Sequence, residues 1–186
     1  MICRHNLTYS AGAEFSDDDV YRYRLRRSFT GNVLEKPVRP VTFLMLNPST
    51  ATALEDDPTI RRCIGYARAW GYTDLLVANI FALRSTDPDA LLSHPDPVGP
   101  ENDSVLADLP DGPVIAAWGS HVAARKRVAR VVEIVRRPLM ALGVTQSGAP
   151  RHPLYLKADL CPQPWASGVA KAAQRTGSGR WENPDD

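Results

Sequence analysis

Residues 41–51 read VTFLMLNPSTA, and this stretch constrains the chain more than any other. Its unbroken run of apolar and β-branched residues stops at Asn47-Pro48-Ser49-Thr50. A continuous apolar run closed by a turn signal predicts a strand buried on both faces, as in parallel sheets. Pro48 has no N–H and a fixed φ, so the strand has to end there. In open α/β sheets, ligands bind beyond the carboxyl ends of the strands. Asn47 and Ser49 therefore stand where a binding group would. The alternative, a capped turn that only ends a strand, fits the segment equally well.

Residues 74–80, DLLVANI, form a second such run, which also carries an asparagine at its end, Asn79, with Phe81 just beyond. An asparagine offers two donors and two acceptor lone pairs, enough to meet a nucleobase edge bidentately. Residues 113–118, PVIAAW, and 139–142 predict two further strands. Asp57 and Pro58 suit the N-cap and first position of a helix, and Ile60, Cys63, Ile64 and Ala67 recur at helical period up to Gly71. A second helix is expected over residues 121–137, where Arg125, Lys126, Arg127, Arg130, Arg136 and Arg137 lie off the apolar stripe. Such a face can track phosphates or can simply be solvated. Alternating strands and helices predict an α/β fold, a three-layer sandwich around a mainly parallel central sheet.

Ahead of this unit, residues 21–29 read YRYRLRRSF. Period two predicts a half-buried edge strand, with Arg22, Arg24 and Arg26 on one face. That row suits a phosphate backbone, or a solvated edge protected from aggregation. Arg61 and Arg62 lie near a helix N-terminus, where the dipole disfavours cations. Either Asp56 and Asp57 or a ligand phosphate would offset them. The expected organisation is an N-terminal extension with the edge strand (1–40), the α/β domain (41–173) and a flexible tail (174–186).

Composition sets the outer bounds. The chain has 186 residues, with 22 Lys+Arg against 21 Asp+Glu and a net charge of +1. That length suits one domain, and the balance gives no global pull toward nucleic acid or membrane. Cys3, Cys63 and Cys161 are too few and too scattered for a disulfide framework or a Cys-x-x-Cys metal site. No apolar stretch approaches bilayer length and the N-terminus has no apolar signal core, so a soluble, cytoplasmic protein is expected.

Four short motifs in order carry a resemblance: LNPS at 46–49, LLVANIFAL around Asn79, AAWGSHVAARKR, and RHPLYL at 151–156. Over residues 41–156 the chain resembles the uracil-DNA glycosylase superfamily. It is closer to an uncharacterised bacterial and phage domain family marked by LNPSTA, DDPTIRRC and G-x-P-x-H-P-L-Y-L. The sequence departs from the glycosylases in lacking a glycine before Asn47 and in having His-Pro-Leu-Tyr in the last motif. The resemblance implies a glycosylase-like fold and hydrolysis of an N-glycosidic bond, with a base, modified or not, released from DNA. The alternatives are a free nucleotide as substrate, or a non-catalytic binder of nucleotides or modified bases. By the resemblance, Asn47 would orient the water and His152 would stabilise the departing base. Ser49, Asn79, Phe81, Tyr155, Arg61 and Arg62 would contact substrate. It implies no metal and no cofactor, and a monomer acting on DNA or a nucleotide.

Overall fold

A computed structural model of the chain describes residues 2–3, 11–29, 37–49 and 51–166. The tail expected at 174–186 lies outside the described residues. In chain order the strands are β1 (Ile2–Cys3), β2 (Ala11–Phe15), β3 (Arg22–Ser28), β4 (Pro40–Met45), β5 (Asp74–Asn79), β6 (Val114–Ala116), β7 (Leu139–Ala141) and β8 (Gln163–Trp165). The helices are α1 (Pro58–Ala69), α2 (Ala90–Ser93), α3 (Asn102–Ala107) and α4 (Val122–Val135), with a 3-10 turn at Pro153–Tyr155. All eight strands form one sheet, in the order β1-β2-β3-β5-β4-β6-β7-β8.

The mainly parallel three-layer sandwich expected from the sequence is not what forms. β4 pairs in parallel with β5 and β6, and β6 with β7. The other four pairings, β1–β2, β2–β3, β3–β5 and β7–β8, are antiparallel, so the sheet is mixed. Parallel neighbours need a long crossover, whereas a short connection returns the chain antiparallel. Residues 16–21 make such a connection, closed by Ser16 N–H donating to Tyr21 O at 3.1 Å and turned at Asp19 with φ 60°. The helical cover is thin as well, since α2 and α3 have only four and six residues.

Strand alternation still sorts the core onto two faces. Phe43, Met45, Leu75, Val77 and Ile115 pack against Ile60, Cys63, Tyr66 and Ala67 of α1. Leu44, Leu76, Ala78, Val114 and Ala116 pack against Leu106 of α3 and Ala124, Val131 and Val135 of α4. The α1 start is as the sequence indicates: Asp57 caps it, accepting from Ile60 N–H at 2.8 Å, with Pro58 in the first turn. Among the described residues, no helix is long and apolar enough to cross a membrane.

β3 is not an edge strand. It lies between β2 and β5, and residues 11–28 of the expected extension belong to the same sheet. Nor do its arginines share a face. The β2–β3 register slips between Glu14 and Phe15, which pair with Arg24 and Arg22, so Tyr23 is an extra residue that reverses the alternation. Arg22 is thereby turned toward Ala51 O, on the face of Leu25 and Arg27. Tyr23 and Arg24 point the other way, toward Val105.

The β3–β5 pairing is irregular at the same level. Between the pairs Arg24–Ala78 and Tyr21–Leu83, β3 has two residues and the other chain has four, 79–82. The bulge frees carbonyls inside the protein, and Asn102 takes them up. Its Nδ2 donates to Asn79 O at 3.1 Å and Ile80 O at 3.2 Å, while Arg127 Nε donates to Ile80 O at 3.0 Å. Asn102→Ala leaves buried acceptors short of donors, at an expected cost of about 1–3 kcal/mol. Urea denaturation measures this, and an unchanged midpoint would mean that water replaces the amide.

Candidate functional site

The carboxyl ends of β4 and β5 are fastened together by their loops. Ile80 N–H donates to Met45 O at 2.8 Å, Phe81 N–H to Leu46 O at 2.9 Å, and Ser85 N–H to Pro48 O at 3.0 Å. Asn47 completes this zipper. Its Nδ2 donates to Ser85 O at 2.9 Å, Pro48 O at 3.1 Å and Leu83 O at 3.4 Å. All three partners are carbonyls, so the amide has one orientation: NH2 toward the main chain and Oδ1 away from it. Asn47 is therefore a turn-stabilising residue and a fixed acceptor at once. Ser49, two residues on, is half-buried.

His152 reaches the same end of the sheet by a different route. The chain before it is held by Gly119 N–H to Pro150 O at 2.9 Å and Arg151 N–H to Gly143 O at 2.8 Å. The chain after it is held by α1, whose Arg62 and Tyr66 donate to the carbonyls of Leu156 and Lys157. His152 caps the 3-10 turn, its Nδ1 accepting from Leu154 N–H at 3.4 Å. An Nδ1 that accepts leaves the proton on Nε2. Burial pushes the imidazole pKa below its ordinary value, with Asp57 opposing, so the neutral ring is favoured. Asp57 at the start of α1 acts electrostatically on Arg22 as well as on His152.

Asn79 is 2% exposed and closes β5 opposite Met45, on the α1 face. Its Nδ2 is buried and meets no hydrogen-bond acceptor among the described residues. Asn47, Asn79 and His152 are thus all at the carboxyl end of the parallel strands, two as polar groups with an uncommitted atom and one as a neutral N–H donor.

The family model described as "Protein of unknown function (DUF1643)" matches residues 22–154, more than half of the chain. The chain belongs to this family. No curated protein and no solved structure matches it. The matched span of this DUF1643 member runs from Arg22 through the whole zipper to the His152 turn.

Other residues singled out from the sequence are placed less favourably for a ligand. Phe81 is 5% exposed and packs in the core on the α4 face, so its ring has no side left for a base. Tyr155 is 80% exposed, its ring centroid 6.2 Å from that of His152. Arg61 donates to the main-chain carbonyl of Asp56, not to its carboxylate, and Arg62 lies 5.2 Å over the Tyr66 ring.

Several residues of the basic rows are paired within the protein, although Arg26 and Arg130 stay more than half exposed. Arg24 pairs with Asp108 at 3.0 Å, Arg26 with Asp74 at 2.7 Å, and Arg127 and Arg130 with Asp103. Arg137 donates to the carbonyls of Leu109 and Pro110. A cleft of about 510 Å3 opens among Arg24, Arg26 and Asp74 at the opposite end of β5, and none of Asn47, Asn79 and His152 lines it. Sequence reasoning passed over Asp57 as more than a cap, and missed Arg22 as a buried group. The clue to Arg22 was a bulge, which no residue spacing announces.

Proposed function

We propose that this DUF1643 member hydrolyses N-glycosidic bonds and that its substrate is a free nucleotide. The observation that carries the reading is the presence of two oriented polar groups at one end of the sheet. Asn47 holds an acceptor oxygen in a single orientation, and His152 presents a neutral Nε2–H. In the reaction the C–N bond breaks with its electron pair passing to the base. Water oxygen then bonds to the anomeric carbon, and the water proton ends on the released base or solvent. Asn47 Oδ1 positions that water; an amide orients rather than deprotonates, which suits a dissociative transition state. His152 Nε2–H donates to the base as negative charge develops on it. Asn79 Nδ2 is left to meet the base edge.

A nucleotide is favoured over DNA by the fate of the arginines. Duplex binding draws on Lys and Arg free to meet phosphates, whereas Arg24, Arg26, Arg127 and Arg130 are already paired with carboxylates of the protein. The test is incubation with a panel of free nucleotides and of oligonucleotides, ordinary and modified, with released base read by mass spectrometry. Base from nucleotides alone is expected. Release from oligonucleotides would move the substrate to DNA, and binding without release would remove the hydrolase reading.

A further inference from the structure

Arg22 is 2% exposed, and among the described residues its guanidinium has one hydrogen-bond acceptor, Ala51 O, and no carboxylate partner. Its Nε is buried and unpaired. Arg27, on the same face, shows how this chain otherwise satisfies a buried guanidinium. That residue meets Asp56 Oδ1 at 2.8 Å, Arg26 O at 2.8 Å and Thr52 O at 3.0 Å. Burial draws the Arg22 pKa down to about 10, Asp57 works against this, and the positive charges of Arg84 and Arg27 add to it. The group is still a cation at neutral pH.

Arg84 approaches from the neighbouring loop. Its guanidinium lies 5.0 Å from the ring centroid of Phe15, which is the partner of Arg22 across β2 and β3. Its Nη1 donates to Asp19 O at 2.8 Å, and its Nε is also buried without an acceptor. Two buried Nε–H donors thus belong to neighbouring cations beside the candidate site, and one of those cations has no counter-ion. A buried charge without a partner is strongly unfavourable, and an anion bound beside it would offset that cost. The Nε edge of a guanidinium is a donor fork that matches two oxygens of a phosphate.

We propose that Arg22 and Arg84 form a phosphate-binding site and that the phosphate of the substrate is the missing counter-ion. This rests on the nucleotide reading above and deepens it, by assigning recognition of the phosphate to a residue pair outside the reacting groups.

The experiment is thermal unfolding of the full chain in inorganic phosphate and in chloride at matched ionic strength. The melting temperature is expected to climb with phosphate concentration beyond its value in chloride, as linkage requires. Arg22→Gln is expected to abolish that climb without lowering the melting temperature in chloride, since it removes an unpaired buried charge. Arg84→Gln is expected to weaken phosphate binding about tenfold or more, the loss of a charge-assisted hydrogen bond. Equal melting in the two salts, or a climb that survives in Arg22→Gln, overturns the proposal. Should Arg22→Gln not fold, Arg84→Gln decides: an unchanged phosphate affinity overturns it. Base release is measured separately, so a phosphate site without hydrolysis refutes the catalytic reading alone.

Discussion

His152→Gln is expected to lower base release by about 10²–10³-fold, the usual effect of removing one donor from an oxyanion-type site. The melting temperature is expected to move little, because the ring is half-buried and its one hydrogen bond among the described residues, from Leu154 N–H, is long at 3.4 Å. The pH dependence provides an independent handle. Burial holds the folded-state pKa of His152 below its ordinary value of 6.5, so the unfolded chain takes up the proton first as pH falls. The contribution of the neutral ring to stability is therefore complete above pH 6.5 and declines as pH drops toward the folded-state pKa. Protonation of Nδ1 also breaks the cap to Leu154, so base release falls as pH passes down through the lowered folded-state pKa. A His152→Gln enzyme with full turnover, or one that retains an acid limb identical to that of the wild type, would remove His152 from the reaction.

Arg27→Ala is expected to cost about 3–5 kcal/mol of folding stability, the range for breaking a buried ion pair from one side. Arg27 is 0% exposed and shares the buried face of Leu25. Its guanidinium joins Asp56 to the carbonyls of Thr52 and Arg26, so it pins the loop between β4 and α1 onto β3. That loop carries Asn47 at one end and Asp57 at the other. Urea denaturation followed by tryptophan fluorescence measures the loss. A cost under about 1 kcal/mol, the value of an exposed pair, would mean that the cluster is open to water.

The parts of this protein that were legible in its sequence are those set by local chemistry. Asp57 and Pro58 start α1 because a carboxylate can accept the orphan N–H groups of a first turn and proline lacks one to satisfy. β4 and β5 were readable because a strand buried on both faces has to be apolar throughout, and Asn47 and Asn79 follow from where those runs stop. Tertiary structure alone decided the rest. The mixed sheet arises because β1–β3 and β8 add antiparallel to a short parallel centre, a pairing choice that no single strand encodes. The period-two pattern of residues 21–29 suggested one row of arginines. The slip in register at Tyr23 splits that row, burying Arg22 on one face and sending Arg24 to Asp108 on the other. A bulge is a property of two strands in contact, which no single strand's pattern announces. Which arginine is spent on a carboxylate and which is left to seek an anion is likewise set by neighbours distant in sequence. Asp56 lies 29 residues from Arg27 and Asp108 lies 84 from Arg24, separations over which local chemistry carries no information.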